Sequence, residues 1–85
     1  MYNLSLEPQA RQDFARLDAT VRQRLAKRLD WFAAHFDEIQ PEPLTGQWAG
    51  YFKFRTGDYR VIYQVDHAAR HIAVYRIRHR REVYA

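Results

Sequence analysis

Residues 51–66 read YFKFRTGDYRVIYQVD, a stretch in which apolar and polar side chains alternate up to a turn signal and a β-rich run follows it. Apolar residues at every second position are typical of a strand that buries one face. Thr56, Gly57 and Asp58 are residue types favoured in the tight turns of hairpins. The stretch therefore predicts two antiparallel strands, over 51–55 and 59–66.

A third β-rich run lies just downstream, at residues 71–78, after a weaker turn signal at 67–69. Connections as short as these favour antiparallel neighbours. We therefore expect a three-stranded meander in the C-terminal half of the chain.

The sequence upstream of the hairpin follows a helical pattern. A loop-like stretch at 37–50, interrupted by prolines and glycines, separates the two patterns. Before it, apolar residues recur at spacings of three and four in two stripes: Ala10, Phe14 and Leu17, then Val21, Leu25, Leu29, Phe32 and Phe36. Such stripes predict two amphipathic helices in a hairpin. Thr20 with Gln23 fits a capping box at the start of the second helix.

Residues 3–6 read as one more strand, because Leu4 and Leu6 alternate with polar neighbours. The order of one strand, two helices and three strands predicts a single α+β domain over residues 1–85. We expect an antiparallel sheet, formed by the N-terminal strand and the meander, that the helix hairpin covers on one face.

The two faces of this predicted sheet differ in chemistry. One parity is almost wholly apolar and is expected to pack on the helices: Phe52, Phe54, Val61, Tyr63, Val65, Ala73, Tyr75 and Ile77. The other parity carries five cations: Lys53, Arg55, Arg60, Arg76 and Arg78. Because like charges on neighbouring strands repel each other, this face favours an anion-binding surface. The alternative is a generic basic outer face.

Composition narrows the class of protein further. The net charge is +4, and 12 of the 14 basic residues are arginine, whose planar guanidinium matches phosphate. Composition alone fits a nucleic-acid partner and a solvated basic surface equally well, and an acidic protein partner would also suit this charge. The absence of cysteine excludes a disulfide framework. No apolar run approaches the ~20 residues that cross a bilayer, and the N-terminus does not resemble a secretory signal, so we expect a cytoplasmic protein.

Other motifs are weak. The four histidines have no spacing typical of a zinc site, and we expect neither a metal nor another cofactor. Trp48 and Tyr51 are of the type that stacks on bases, although packing of the loop onto the core is the simpler interpretation of Trp48.

Several long segments resemble the RelE/ParE toxin superfamily of bacterial type II toxin–antitoxin systems. They are YFKFRTGDYRVIYQVD and IAVYRIRHRREVY, with LDATVRQRLAKRL in the helices and PLTGQWAGYFKFR before the hairpin. The resemblance covers essentially the whole chain, and the closing HRREVY is more similar to the RelE branch. It implies a RelE-like fold and a ribosome-dependent mRNA endonuclease that inhibits translation. The alternatives are a ParE-like toxin that inhibits DNA gyrase without nuclease activity, and a member that retains only antitoxin or nucleic-acid binding.

The resemblance also implies a metal-independent reaction. RelE-type toxins resemble ribonucleases that use the 2′-hydroxyl of the RNA as nucleophile, with cations stabilising the charge on the phosphate. The positions that match catalytic residues are Lys53, Arg60, Arg80 and Tyr84. Among them, Arg60 matches the arginine that holds the scissile phosphate, Arg80 a proposed general acid, and Tyr84 a tyrosine that stacks on or orients the substrate base.

Tyr51 departs from the pattern, because RelE-type enzymes can carry a second lysine there. His79 and Glu82 are therefore candidates for proton transfer. The alternatives are a structural role for His79 and a salt bridge from Glu82 to Arg80 or Arg81. The residues expected to bind RNA are Arg55, Arg76 and Arg78 on the sheet, and Arg22, Arg24 and Arg28 on the second helix. The expected partners are messenger RNA, the ribosome through its RNA, and a cognate antitoxin that folds on binding with an amphipathic helix and an acidic segment.

Overall fold

A computed structural model describes residues 1–83 of the chain, with the backbone alone at Val83. In chain order the elements are β1 (Asn3–Leu6), α1 (Pro8–Ala15), α2 (Ala19–Ala34), β2 (Glu42–Pro43), β3 (Phe52–Thr56), β4 (Tyr59–Asp66), β5 (His71–His79) and α3 (Arg80–Val83). The α+β class and the order of the predicted strands and helices are confirmed. None of the helices within this part of the chain has the length and apolarity needed to cross a bilayer.

The five strands form one sheet in the order β1-β5-β4-β3-β2. The meander of β3, β4 and β5 is antiparallel as predicted, but β1 runs parallel to β5. The prediction of a wholly antiparallel sheet is therefore wrong at this edge. Short turns fix the strand direction only within the meander, whereas β1 reaches β5 through the helices. The two-residue strand β2, which contains Pro43, forms the opposite edge within the stretch predicted as a loop.

Local residues explain where the elements begin and turn. The side chain of Asp18 accepts a hydrogen bond of 3.0 Å from the Val21 N–H and caps α2, so the capping box predicted at Thr20 is wrong. Asp is a more favourable N-cap residue than Thr, which explains why α2 is capped by Asp18. Gly57 has a φ of 58° in the two-residue turn between β3 and β4, as the primed hairpin turns require.

The helix hairpin covers one face of the sheet and buries the core there. The predicted stripe supplies Leu25, Leu29 and Phe32 from α2 and Phe36 from the 3-10 turn that follows it, and the sheet supplies Val61, Tyr63, Ile72, Val74 and Ile77. Phe32 lies at the centre, with its ring centroid 4.1 Å from that of Phe54 and 5.1 Å from that of Tyr63. Each such buried apolar side chain stabilises the fold by roughly 1.5–3 kcal/mol.

A β-bulge changes which residues of β5 face the helices. Ile62 lies opposite Arg76 and Tyr63 lies opposite Val74, so Tyr75 is an extra residue on β5. An inserted residue shifts the alternation by one, so the residues of β5 that precede the bulge point to the face opposite the one predicted. Ile72 and Val74 are consequently buried under the helices. The prediction that Ala73 and Tyr75 pack on the helices is wrong; both belong to the opposite face, which we call the open face.

Candidate functional site

Three arginines lie side by side across the open face. Arg55 of β3 is directly opposite Arg60 of β4, and Arg60 is directly opposite Arg78 of β5. Directly opposite residues of antiparallel strands have Cα atoms about 4.5–5.5 Å apart, so the three positive charges are close. We call these residues the arginine row. Because like charges this close repel each other, the arrangement favours a bound anion.

The carboxylate of Glu82 lies against the row at Arg78. Glu82 Oε2 accepts a hydrogen bond of 3.2 Å from Arg78 Nε, and its Oε1 accepts one of 3.2 Å from the His79 N–H. Glu82 therefore forms a salt bridge as expected, but with Arg78 and not with Arg80 or Arg81, the two partners that the sequence suggested. Glu82 is 55% exposed, and exposed ion pairs contribute at most about 1 kcal/mol. A phosphate is consequently able to compete with Glu82 for Arg78.

Two further predicted catalytic residues lie on either side of the row. Lys53 precedes Arg55 by two positions on β3, and its Nζ is 3.8 Å from Glu42 Oε2 at the sheet edge. Arg80 begins α3 just beyond Arg78, with its Nε 3.8 Å from Asp58 Oδ1. Both acidic partners are more than half exposed, so neither pair is strong. The third, Tyr84, lies outside the described residues.

Arg76 is held by α1 and contributes little free charge to the open face. Its Nε donates to Asp13 Oδ2 at 2.9 Å, its NH2 to Asp13 Oδ1 at 3.2 Å and its NH1 to Gln9 Oε1 at 3.1 Å. Asp13 also accepts the Ile77 N–H at 2.9 Å. Burial raises the pKa of Asp13, but the bonds from Arg76 and Ile77 outweigh it and lower the pKa below its ordinary value. Arg76 was predicted to bind RNA; its ion pair with Asp13 points instead to a structural role.

His79 lies on the helix side of the sheet. It is directly opposite Tyr59, and the two rings meet edge to face at 5.2 Å, one register position away from the arginine row. Its Nδ1 accepts a hydrogen bond of 3.1 Å from the Arg81 N–H at the start of α3. This geometry favours the structural role over proton transfer.

The helix arginines predicted to bind RNA do not join the row, because α2 packs on the other face of the sheet. Arg22 NH1 donates a hydrogen bond to the Leu17 carbonyl, which closes the turn between the helices. The guanidinium of Arg28 stacks 4.6 Å from the ring centroid of Trp31. With Arg24, Arg28 borders an apolar groove of about 560 Å³ between α2 and the β3–β4 turn.

The sequence did not predict an aromatic cluster on the open face. The Tyr51 ring lies 5.1 Å from Trp48 and 5.1 Å from Tyr75, perpendicular to both. Trp48 thus packs against Tyr51 on the open face, and its interpretation as core packing is wrong. The bulge brings Tyr75 into the cluster, and nothing in the sequence of β5 signals that bulge.

Residues 1–83 contain no group of three His, Asp or Glu side chains placed to hold a metal ion. The candidate site consists of the arginine row, the flanking Lys53 and Arg80, and the neighbouring aromatic cluster.

Comparison with known proteins places the chain among toxins. A family model described as the ParE toxin of the type II toxin–antitoxin system parDE matches residues 4–84. No curated protein matches the chain. Among solved structures, the RelBE2 toxin–antitoxin complex of Mycobacterium tuberculosis has a TM-score of 0.81 at 23% identity, covering 92% of this chain and 96% of that one.

Two further solved structures are similar. The isolated RelE toxin of E. coli has a TM-score of 0.74 at 27% identity, covering 99% of this chain and 92% of that one. The archaeal RelE–RelB complex of Pyrococcus horikoshii has a TM-score of 0.68 at 21% identity, covering 93% and 94%. These similarities agree with the RelE-like fold predicted from the sequence.

Proposed function

The chain belongs to the ParE toxin family of type II toxin–antitoxin systems, and from this premise we propose that it is a ribosome-dependent mRNA endonuclease that inhibits translation. The observation that carries the proposal is the arginine row. Three arginines in register on the open face form a site for a phosphate group that gains negative charge during a reaction. The similarity to the E. coli RelE toxin supports the same interpretation.

The proposed reaction is a transesterification at one phosphodiester. The 2′-oxygen of the RNA forms a bond to phosphorus as the bond from phosphorus to the 5′-oxygen breaks. The 2′-hydroxyl proton is released, the leaving 5′-oxygen takes up a proton, and the products are a cyclic phosphate and a 5′-hydroxyl. Arg55, Arg60 and Arg78 bind the phosphate oxygens and stabilise the charge of the transition state.

Lys53 and Arg80 have supporting roles in this mechanism. Lys53 extends the positive surface along β3, and Arg80 lies where β5 leads into α3, near the expected position of the leaving oxygen. A guanidinium gives up its proton only with difficulty, so the contribution of Arg80 is chiefly electrostatic. Tyr84 is proposed to stack on or orient a substrate base. The ribosome is expected to hold the RNA in line for attack, which accounts for the dependence on ribosomes.

Primer extension on a reporter mRNA in a reconstituted bacterial translation reaction tests the proposal. We expect discrete cuts within codons, only when ribosomes are present, and a loss of about 10²–10³ in rate in Arg60→Ala. Arg16→Ala, which removes one exposed arginine next to α1, is the matched control and should cut like the wild type. Equal cutting by Arg60→Ala contradicts the proposed site. Intact mRNA under conditions of growth arrest supports the alternative, a ParE-like toxin that inhibits DNA gyrase.

We also propose that an antitoxin binds the apolar groove. Trp31, which is 40% exposed, lies in the groove with Val21, Leu25 and Tyr59, while Arg24, Lys27 and Arg28 supply positive charge. An amphipathic helix with acidic flanks complements this combination. The solved RelBE2 and RelE–RelB relatives are toxin–antitoxin complexes, which supports a protein partner. Trp31→Glu should abolish copurification with the antitoxin encoded beside this gene, and Arg16→Ala should retain it; copurification by Trp31→Glu contradicts the assignment.

A further inference from the structure

A second cavity opens on the sheet next to the arginine row. It measures about 440 Å³, within the roughly 300–1,000 Å³ of typical ligand sites. Its lining combines the three rings of Trp48, Tyr51 and Tyr75 with residues at the start of α1 and with Arg76. We call it the aromatic pocket.

The bulge in β5 forms this pocket. Without the extra residue, Tyr75 would point toward the helices as the alternation predicts; with it, Tyr75 contacts Tyr51 on the open face. The backbone N–H of Glu7 donates to the Val74 carbonyl at 2.8 Å, which fixes the start of α1 beside the bulge. Bulges commonly direct a side chain into a functional site.

The polar groups of the pocket differ from those of the row. The three guanidinium nitrogens of Arg76 each donate to α1, which fixes the plane of that group at the wall of the pocket. Glu7 adds a carboxylate, and burial together with this nearby negative charge raises the pKa of Tyr75. Because the donors of Arg76 are directed to Asp13 and Gln9, the carboxylate of Glu7 and the aromatic rings make the pocket better suited to a nucleobase than to a phosphate.

The nearby arginine row indicates that the base belongs to a nucleic-acid strand with phosphates. Tyr75 is three residues from Arg78 on β5, a distance of about 10 Å at the rise of a strand. A short stretch of extended single strand spans this distance, with its phosphates on the row and one base in the pocket. Stacking of unpaired bases on aromatic rings beside a positive surface is how proteins bind single strands.

We propose that the aromatic pocket binds one unstacked nucleobase of a single-stranded RNA whose phosphates lie on the arginine row, and that Glu7 selects a base with an exocyclic amino group. A carboxylate accepts hydrogen bonds from the amino group of adenine, cytosine or guanine. Uracil has no exocyclic amino group; its one donor on that edge, N3–H, lies between two carbonyl oxygens that repel the carboxylate, so uracil should bind less tightly. The identification of the strand as messenger RNA rests on the proposed function; the pocket itself does not.

The fluorescence of Trp48 tests the location of the base. Trp31→Phe leaves Trp48 as the one tryptophan of the chain, which has two. Oligomers of 2′-O-methyl adenosine lack the nucleophile, so they report binding without cleavage. We expect them to quench Trp48 on binding, and Tyr75→Leu to weaken their affinity at least fivefold. Binding without quenching, or equal affinity in both Tyr75→Leu and Tyr51→Leu, overturns the proposal.

The preference for amino-bearing bases has its own test. Adenosine oligomers should bind more tightly than uridine oligomers, and Glu7→Gln should reduce the difference. Glu7 makes no capping hydrogen bond to α1, so this substitution leaves the helix intact. No difference between the oligomers overturns the role of Glu7. If the oligomers quench Trp48 but the translation reaction shows no cleavage, the pocket is supported and the nuclease activity is contradicted. If mRNA is cleaved but Trp48 is not quenched, the nuclease activity is supported and the pocket is contradicted.

Discussion

Asp13 and Arg76 form a two-point ion pair that ties α1 to β5. The Oδ2–Nε distance is 2.9 Å and the Oδ1–NH2 distance is 3.2 Å, with Asp13 only 10% and Arg76 25% exposed. The same carboxylate accepts the Ile77 N–H, which belongs to the part of β5 that extends past β1. Asp13 thus satisfies the edge of the central sheet where no strand covers it.

Loss of this carboxylate should destabilise the fold. Asp13→Ala leaves a partly buried guanidinium and a backbone N–H without their acceptor, and we expect a loss of about 2–3 kcal/mol in the free energy of unfolding. Urea denaturation followed by circular dichroism measures it. Asp37→Ala is the control, because the Asp37–Arg70 pair is exposed and its loss should cost less than about 1 kcal/mol. Equal effects of the two substitutions contradict a special role for Asp13.

The same ion pair predicts an acid dependence. Since the pKa of Asp13 is lowered in the folded protein, its contribution is fully present above its ordinary value of 3.8 and is lost as pH falls through the folded pKa. The stability difference between the wild type and Asp13→Ala should therefore be constant from pH 7 to about pH 5 and shrink below pH 4. Urea titrations at pH 7 and pH 3 test this. A difference that does not shrink at pH 3 shows that the ionised carboxylate is not its source.

The sequence predicts local patterns well and long-range pairings poorly. The alternation in 51–55 and the spacing of the α2 stripe are both local patterns. Phe52 and Phe54 pack against the core, and Leu25, Leu29 and Phe32 are buried in it as predicted, although Val21 lies outside the core and α2 ends before Phe36. The parallel pairing of β1 depends on residues about 70 positions away, and the Asp13–Arg76 pair on residues 63 apart. Neither leaves a local signal.

The candidate site follows the same division. Arg55, Arg60 and Arg78 were predicted to share a face, and they do, because Arg78 lies beyond the bulge of β5 in a part of the strand where the alternation is unbroken. Tyr75 lies at the bulge, and no glycine in β5 indicates a bulge there. Its position beside Tyr51 therefore depends on the strand register and could not be predicted from the alternation. Arg76 keeps its predicted parity, but its side chain turns to a partner that alternation does not predict.

Neutralising Glu82 should strengthen RNA binding. Glu82→Gln retains a carbonyl for the His79 N–H but removes the negative charge beside Arg78. We expect tighter binding of single-stranded RNA and a salt dependence steeper by about 0.7 in log–log slope, the value for one added phosphate contact. Anisotropy titrations over a range of salt concentrations measure both, with the exposed Glu38→Gln as control. A large loss of cleavage in Glu82→Gln would falsify the salt-bridge role and identify Glu82 as a proton carrier.

Replacement of His79 should leave cleavage almost unchanged. The ring packs on Tyr59 on the helix side of the sheet, and an asparagine retains an acceptor for the Arg81 N–H. We expect His79→Asn to cut within a few-fold of the wild type with the same pH profile, measured by single-turnover primer extension. Loss of a general acid or base would instead reduce the rate by about 10²–10⁴ and remove one limb of the profile.

Tyr63 carries a buried hydroxyl whose removal should stabilise the protein. The residue is fully buried against Phe32, Phe36 and Phe52, and within residues 1–83 its hydroxyl has no hydrogen-bond partner. Burial and the charge of Glu42 raise its pKa, so the phenol stays neutral. An unsatisfied buried polar group costs about 1–3 kcal/mol, whereas a phenylalanine ring fills nearly the same volume.

We therefore expect Tyr63→Phe to raise the melting temperature by several degrees, since about 1 kcal/mol corresponds to roughly 4–8 °C in a domain of this size. Tyr2→Phe is the matched control, because the Tyr2 hydroxyl is bonded to His67 Nδ1 at 3.1 Å and its loss should lower the melting temperature. Differential scanning calorimetry of both variants decides the matter. A lower melting temperature for Tyr63→Phe shows that an ordered water satisfies the hydroxyl, because only a satisfied group loses stability when it is deleted.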